Sequence, residues 1–131
     1  GEITSDGGFL FNAAISPDRR VDGATSAFGG SFVITFSASS VDGSAVGAAS
    51  SVNGGALSFG TLRLGVGPYV DLTCPDDSDT CRWGDYASAT PDPRPLAGSA
   101  GVVWITNQFA GSLDTSSDQA NWRTVIAALR P

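Results

Sequence analysis

The sequence predicts an all-β fold, and three observations predict it. Apolar residues recur with a period of two in short runs, which is the period of a strand with unlike faces. No stretch sustains a helical period over a window of about 11 residues. Glycine is abundant, at 17 of 131 residues, and charged residues make up only 15%, unlike a helical bundle. Seven or eight short strands joined by Gly, Pro and Asp loops emerge, forming either a sandwich or part of a propeller or barrel.

Each element has its own signal. From Phe9 to Ser16, Phe9, Phe11, Ala13 and Ile15 share one face and Leu10, Asn12, Ala14 and Ser16 the other. The segment Pro17 to Gly23 reads as a turn, being rich in residues that fix φ or bond their own backbone. Ser31 to Ser39 is the clearest strand. It sets Phe32, Ile34, Phe36 and Ala38 against Ser31, Val33, Thr35 and Ser37, and the phenylalanines read as core. The small residues from Ser44 to Gly55 are either a narrow strand, about Ala45 to Val52, or a linker. Leu57 to Leu64 is a strand ended by Gly65-Val66-Gly67-Pro68. Tyr86 to Thr90 is a short strand, and three prolines within residues 91–95 exclude a central strand there. Gly101 to Asn107 alternates cleanly. Asn121 to Arg130 closes the series, and its β-branched residues favour strand over helix.

Composition bounds function. Net charge is −6, His, Met and Lys are absent, and all seven basic residues are arginines. Such a chain suits neither nucleic acid nor an anionic membrane, because phosphate neutralisation needs clustered cations. No apolar run approaches the roughly 20 residues that span a bilayer, so membrane insertion is not expected. The opening Gly1-Glu2-Ile3-Thr4-Ser5-Asp6 carries no signal-peptide pattern. Residues 1–131 therefore read as one module trimmed from a larger exported protein.

The richest stretch is Cys81-Arg82-Trp83-Gly84-Asp85-Tyr86. It reads either as a tight turn whose Trp83 and Tyr86 close one end of the core, or as a ligand position built on Arg82, Trp83, Asp85 and Tyr86. Cys74 and Cys81 are the only cysteines. A disulfide between them would contribute about 2.5 kcal/mol by the chain-entropy argument, and it fits an exported protein; free thiols are the alternative. Between them, Asp76, Asp77 and Asp79 offer hard oxygen ligands suited to Ca²⁺. The alternative is a solvated acidic loop tip. Trp83, Trp104 and Trp122 read as core, with a carbohydrate-stacking platform as the competing role. Absence of His removes hydrolytic triads. The only Glu, Glu2, stands in a polar tail.

The run Arg82-Trp83-Gly84-Asp85-Tyr86, with Asp92-Pro93, Val103-Trp104-Ile105-Thr106-Asn107-Gln108 and Asn121-Trp122-Arg123-Thr124 after it, resembles the C-terminal part of secreted bacterial sialidase-like, BNR-type β-propeller proteins. Ala87 stands where that pattern often has Ser. The resemblance implies about two propeller-like blades, with a self-contained β-sandwich as the alternative. Two blades cannot close a ring, since complete propellers have 4–8. The expected partner is therefore another chain of the same precursor or copies of this one, with a surface glycan as a further ligand.

These readings lead to three expectations. The first is a non-catalytic extracellular β module that completes a propeller-like protein through protein or glycan contacts. The second is a processed glycoside hydrolase subunit with a shared active site. The third is a self-assembling surface or filament subunit whose open edges pair with neighbours.

Overall fold

The computed structural model describes residues 7–22, 25–41, 43–67, 69, 81, 83–94, 101–112 and 121–131. Among them it is all-β, with no helix. Four strands form one antiparallel sheet: β1 (Gly8–Asp22), β2 (Thr25–Ser40), β3 (Gly43–Ser51) and β4 (Ser58–Leu64), ordered β1-β2-β3-β4. Three more, β5 (Ser88–Pro91), β6 (Val103–Ala110) and β7 (Trp122–Leu129), form a second antiparallel sheet ordered β5-β6-β7. The sheets pack face to face, with β5 beneath β1 and β6 beneath β2 and β3. Two open sheets of this kind fit two adjacent blades as well as a small sandwich.

Side-chain parity explains the packing. Ser31, Val33, Thr35 and Ser37 on β2 are buried, and face β6. Val33 meets Val103 and Ile105, with Leu62, Ala127 and Leu129 packed around them. Val46, Ala48 and Phe109 extend this apolar centre, and buried polar groups are set among them. Asn107 Nδ2 donates to Thr35 Oγ1 at 3.3 Å, and Asn107 Oδ1 accepts from Ser37 Oγ at 3.0 Å. Thr35 Oγ1 in turn donates to Gly47 O at 3.2 Å. Ser44 on β3 accepts from the Ala110 N–H of β6 at 3.2 Å. Buried hydroxyls and amides require such partners, so the two sheets are joined by matched polar groups around a small apolar centre.

The phenylalanines therefore sit on the opposite side from the expected one. Phe32, Ile34, Phe36 and Ala38 share a face, but it is the outer, half-buried face of the four-stranded sheet and not the core between sheets. Phe36 lies over Gly47, where a Cβ would fall 2.5 Å from the ring Cζ. An aromatic ring thus covers the interior glycine of β3.

The first strand differs from expectation in two ways. It continues through Pro17 to Asp22 and does not stop at a turn; an edge strand tolerates proline because one side of its backbone is unpaired. Its alternation also breaks. Asn12 adopts φ 47° and the register jumps between Phe11 and Ala14. Phe11 therefore lies opposite Ser37, on the inner parity, while Ile15 lies opposite Ile34, on the outer. A bulge inserts residues into one strand only, so it reverses the facing of the residues beyond it.

A second irregularity builds a slot. Pro17 pairs with Phe32 and Arg19 with Phe28, leaving Gly29, Gly30 and Ser31 opposite Asp18 alone. The Asp18 side chain is fully buried there. Its Oδ2 accepts the Gly101 N–H at 3.1 Å, while Oδ1 has no hydrogen-bond partner. The small-residue run from Gly43 is a strand rather than a linker. It leaves through a type I′ turn in which Asn53 and Gly54 have φ of 50° and 72°. Gly55 N–H closes that turn on Val52 O at 2.9 Å. This geometry requires positive φ at both central residues, hence Asn-Gly.

Candidate functional site

The Trp83 corner splits into two halves. Gly84 takes φ 74°, which admits glycine most readily, and Asn12 Nδ2 donates to its carbonyl. Trp83 turns inward, edge-on to Phe11 at 6.1 Å and tilted against Tyr69 at 5.3 Å. Its Nε1 is buried without a partner. Asp85 and Tyr86 face outward, Tyr86 with 78% of its surface exposed. Trp83 therefore closes the core as expected, and Tyr86 does not. Of the proposed ligand set, Trp83 packs against Phe11 and Tyr69, Asp85 and Tyr86 are surface residues, and Arg82 lies outside the described residues.

Asp76, Asp77, Asp79 and Cys74 also lie outside the described residues. Among the described residues no cysteine is free, and no group of three His, Cys, Asp or Glu side chains is placed to hold a metal ion. Cys81 is half-buried.

The tryptophans on the second sheet are not core. Trp104 and Trp122 are each 42% exposed. Odd-numbered residues of β6 point inward, so Trp104, Thr106 and Gln108 face out. Trp104 lies between Thr90 on β5 and Ala128 on β7. Asp92, just beyond β5, fixes it. One Asp92 oxygen accepts the Trp104 indole N–H at 3.1 Å and the other the Arg94 backbone N–H at 2.8 Å. These two donors hold the Asp92 carboxyl below its usual range, the Arg94 amide first and the Trp104 indole second. The sequence marks Asp92 only as part of an Asp-Pro turn. Its clamp on Trp104 depends on the β5–β6 pairing, which no local pattern reveals.

A depressed carboxyl pKa makes its contribution at higher pH and loses it as pH falls through the folded value. The Trp104–Asp92 contact is thus expected to persist through the ordinary carboxylate range and to break below it. Following the Trp104 indole N–H resonance against pH checks this: a midpoint at or above that of an unperturbed Asp contradicts the clamp. Asp92→Asn should flatten the titration.

The two sheets diverge on the β4 and β7 side. A cavity of about 210 Å³ opens there, lined by Val33, Ala48, Ala49, Phe59, Leu62 and Leu129. Ser50, Ser58 and Arg130 complete its lining, with no carboxylate among them. The outer face of the first sheet carries no charge among the described side chains. Ile15, Phe59 and Leu64 are 61%, 56% and 67% exposed on it, beside half-buried Phe32, Ile34 and Phe36. Neither surface gathers an acid, a base and a nucleophile. Each is suited to burying apolar area against another molecule.

The comparisons with known proteins return no matching family model, no matching curated protein and no matching solved structure.

Proposed function

We propose that this chain is a non-catalytic extracellular β module that works by docking against a further β layer. That layer is supplied by another chain of the same precursor or by a second copy. One observation carries the reading: among the described side chains the outer face of β1–β4 is largely apolar and uncharged, while Ser, Thr and Asn are buried beside Val and Ile in the layer between the sheets. A soluble sheet ordinarily shows the reverse, with apolar residues inward and polar residues outward. Exposed apolar patches rimmed by polar residues mark interaction sites. The resemblance to BNR-type propeller blades supports the same reading, because a blade is covered on both faces. In this view a Cys74–Cys81 disulfide closes the acidic loop, which suits an exported protein.

Ile34 stands at the centre of that face, between Ile15 and Ala49. Ile34→Asp should abolish docking while leaving the far-UV circular dichroism unchanged, because no inward contact is lost. Buried in an interface, the carboxylate would weaken association by about a hundredfold or more. Sedimentation of the chain, alone and co-expressed with the flanking parts of its precursor, reads the effect. Monomers under both conditions with the native Ile34 overturn the proposal.

A further inference from the structure

The chain has four sheet edges, and three carry features that discourage pairing. β1 contains Pro17 and two breaks of register. β4 has a bulge opposite Val46 and Gly47, and an interior Gly60. β5 is four residues long and ends in Pro91. Natural sheets blunt their edges with such devices, together with inward charges and lysines. β7 has fewer of them: its one charge is Arg123, opposite buried Phe109. Its eight residues, Trp122 to Leu129, contain no Pro, Gly, Asp or Lys and pair with β6 in unbroken register.

The hydrogen-bond phase shows what this edge presents. Gly111 N–H donates to Asn121 O at 2.7 Å, so Gly111 and Asn121 form a bonded pair. Bonded and non-bonded pairs alternate along an antiparallel ladder. Arg123, Val125, Ala127 and Leu129 therefore direct their backbone groups at β6, and Trp122, Thr124, Ile126 and Ala128 turn theirs outward. The other side of β6 agrees: Asp92 N–H donates to Val102 O at 2.8 Å, which gives the even-numbered residues of β6 to β5. Among the described residues nothing pairs with the outer edge of β7.

We infer that β7 pairs with β7 of a second copy, antiparallel across a twofold axis through Ile126. This goes beyond the docking face of the first sheet and stands independently of it. Two antiparallel registers pair the outward residues: one sets Trp122 opposite Ala128 and Thr124 opposite Ile126, the other sets Thr124 opposite Ala128 of the second copy, Ile126 opposite Ile126 and Trp122 opposite Arg130, and the second is the one inferred. Chemistry favours that register. It sets exposed Trp122 opposite Arg130 of the second copy, where a guanidinium over an indole is attractive. The Arg123 side chains lie opposite Leu129, so no like charges meet. A six-stranded sheet results, continuous across both copies, and the second β7 lies at the open side of the cavity beside Leu129.

Residue-resolved amide exchange of the full chain, against protein concentration, tests the inference. The amides of Thr124, Ile126 and Ala128 should gain protection together as dimer forms. Ile126→Pro removes an outward N–H and spares the β6 ladder, so it should leave the monomer folded and raise the dimer dissociation constant by about a hundredfold. Ile34→Asp, on the other sheet, should leave this protection intact. If the chain assembles while these three amides exchange as freely as in a monomer, edge pairing is overturned and the docking face survives. A chain that stays monomeric with these amides unprotected at all concentrations also overturns it. Protection at the edge with no effect of Ile34→Asp on assembly supports the β7 pairing and removes the docking face instead.

Discussion

Replacing Gly29 with alanine is expected to destabilise the fold by about 3 kcal/mol, the upper end of what overpacking a filled interior costs. A Cβ at this position would fall 2.7 Å from Asp18 Cγ. The clash is with a side chain that cannot move aside, because Asp18 is fully buried and is held by the Gly101 amide at 3.1 Å. On the other side of the slot, a Cβ at Gly101 would meet the Arg19 backbone. The carboxyl group therefore sits between Gly29 of β2 and Gly101, which precedes β6. Displacing it leaves the Gly101 N–H without its acceptor. Urea denaturation reads the loss, which is a large fraction of the 5–15 kcal/mol typical of a domain. The double variant Asp18→Ala with Gly29→Ala separates clash from backbone strain. Its stability should lie near that of Asp18→Ala alone, because alanine at 18 vacates the space. Losses that simply add would show that the two residues do not share the slot.

The contrast between legible and hidden features follows from what parity can and cannot say. Period-two alternation marks Ser31 to Ser39, Gly101 to Asn107 and Asn121 to Arg130 as strands, and strands occupy those places. It also groups Phe32, Ile34 and Phe36 on one face. It cannot say which face meets the second sheet. The ordinary inference from hydrophobicity gives the wrong answer here, because Thr35 and Ser37 find partners in Asn107, 70 residues or more away in sequence. Local pattern likewise misses the bulge at Asn12 and the continuation through Pro17, since both depend on pairing with β2. At the Trp83 corner, a dense cluster of aromatics and a carboxylate suggests a shared site. The backbone turn at Gly84 instead sends neighbouring side chains to opposite sides, so proximity in sequence does not become proximity of function. Asp92 and Trp104 are 12 residues apart, and only the β5–β6 hairpin brings them together.

Asn107→Ala is expected to cost about 3 to 4 kcal/mol, and the reason bears on why the inner layer carries polar groups at all. Asn107 Oδ1 accepts from Ser37 Oγ at 3.0 Å and from Gln108 N at 2.7 Å, while Nδ2 donates to Thr35 Oγ1 at 3.3 Å. Truncation strands buried partners on two strands and leaves a void; each unsatisfied group costs about 1–3 kcal/mol. Removing all the polar groups together is a different experiment. The triple variant Asn107→Leu, Thr35→Val, Ser37→Ala should recover most of that stability, since apolar groups of similar shape replace a satisfied network at little net cost. It should not recover a unique structure. With Phe32, Ile34 and Phe36 already on its outer face, β2 would then be apolar on both sides. Either face of the first sheet would suit the second, and register would be weakly specified. The triple variant is therefore expected to melt near the native temperature but to give broadened amide spectra and concentration-dependent association. Sharp, monomeric spectra would mean that the Asn107 network does not select the inner face. In the native chain the hydroxyls of Thr35 and Ser37 bond to Asn107 on the inner face, and Phe32, Ile34 and Phe36 occupy the outer one.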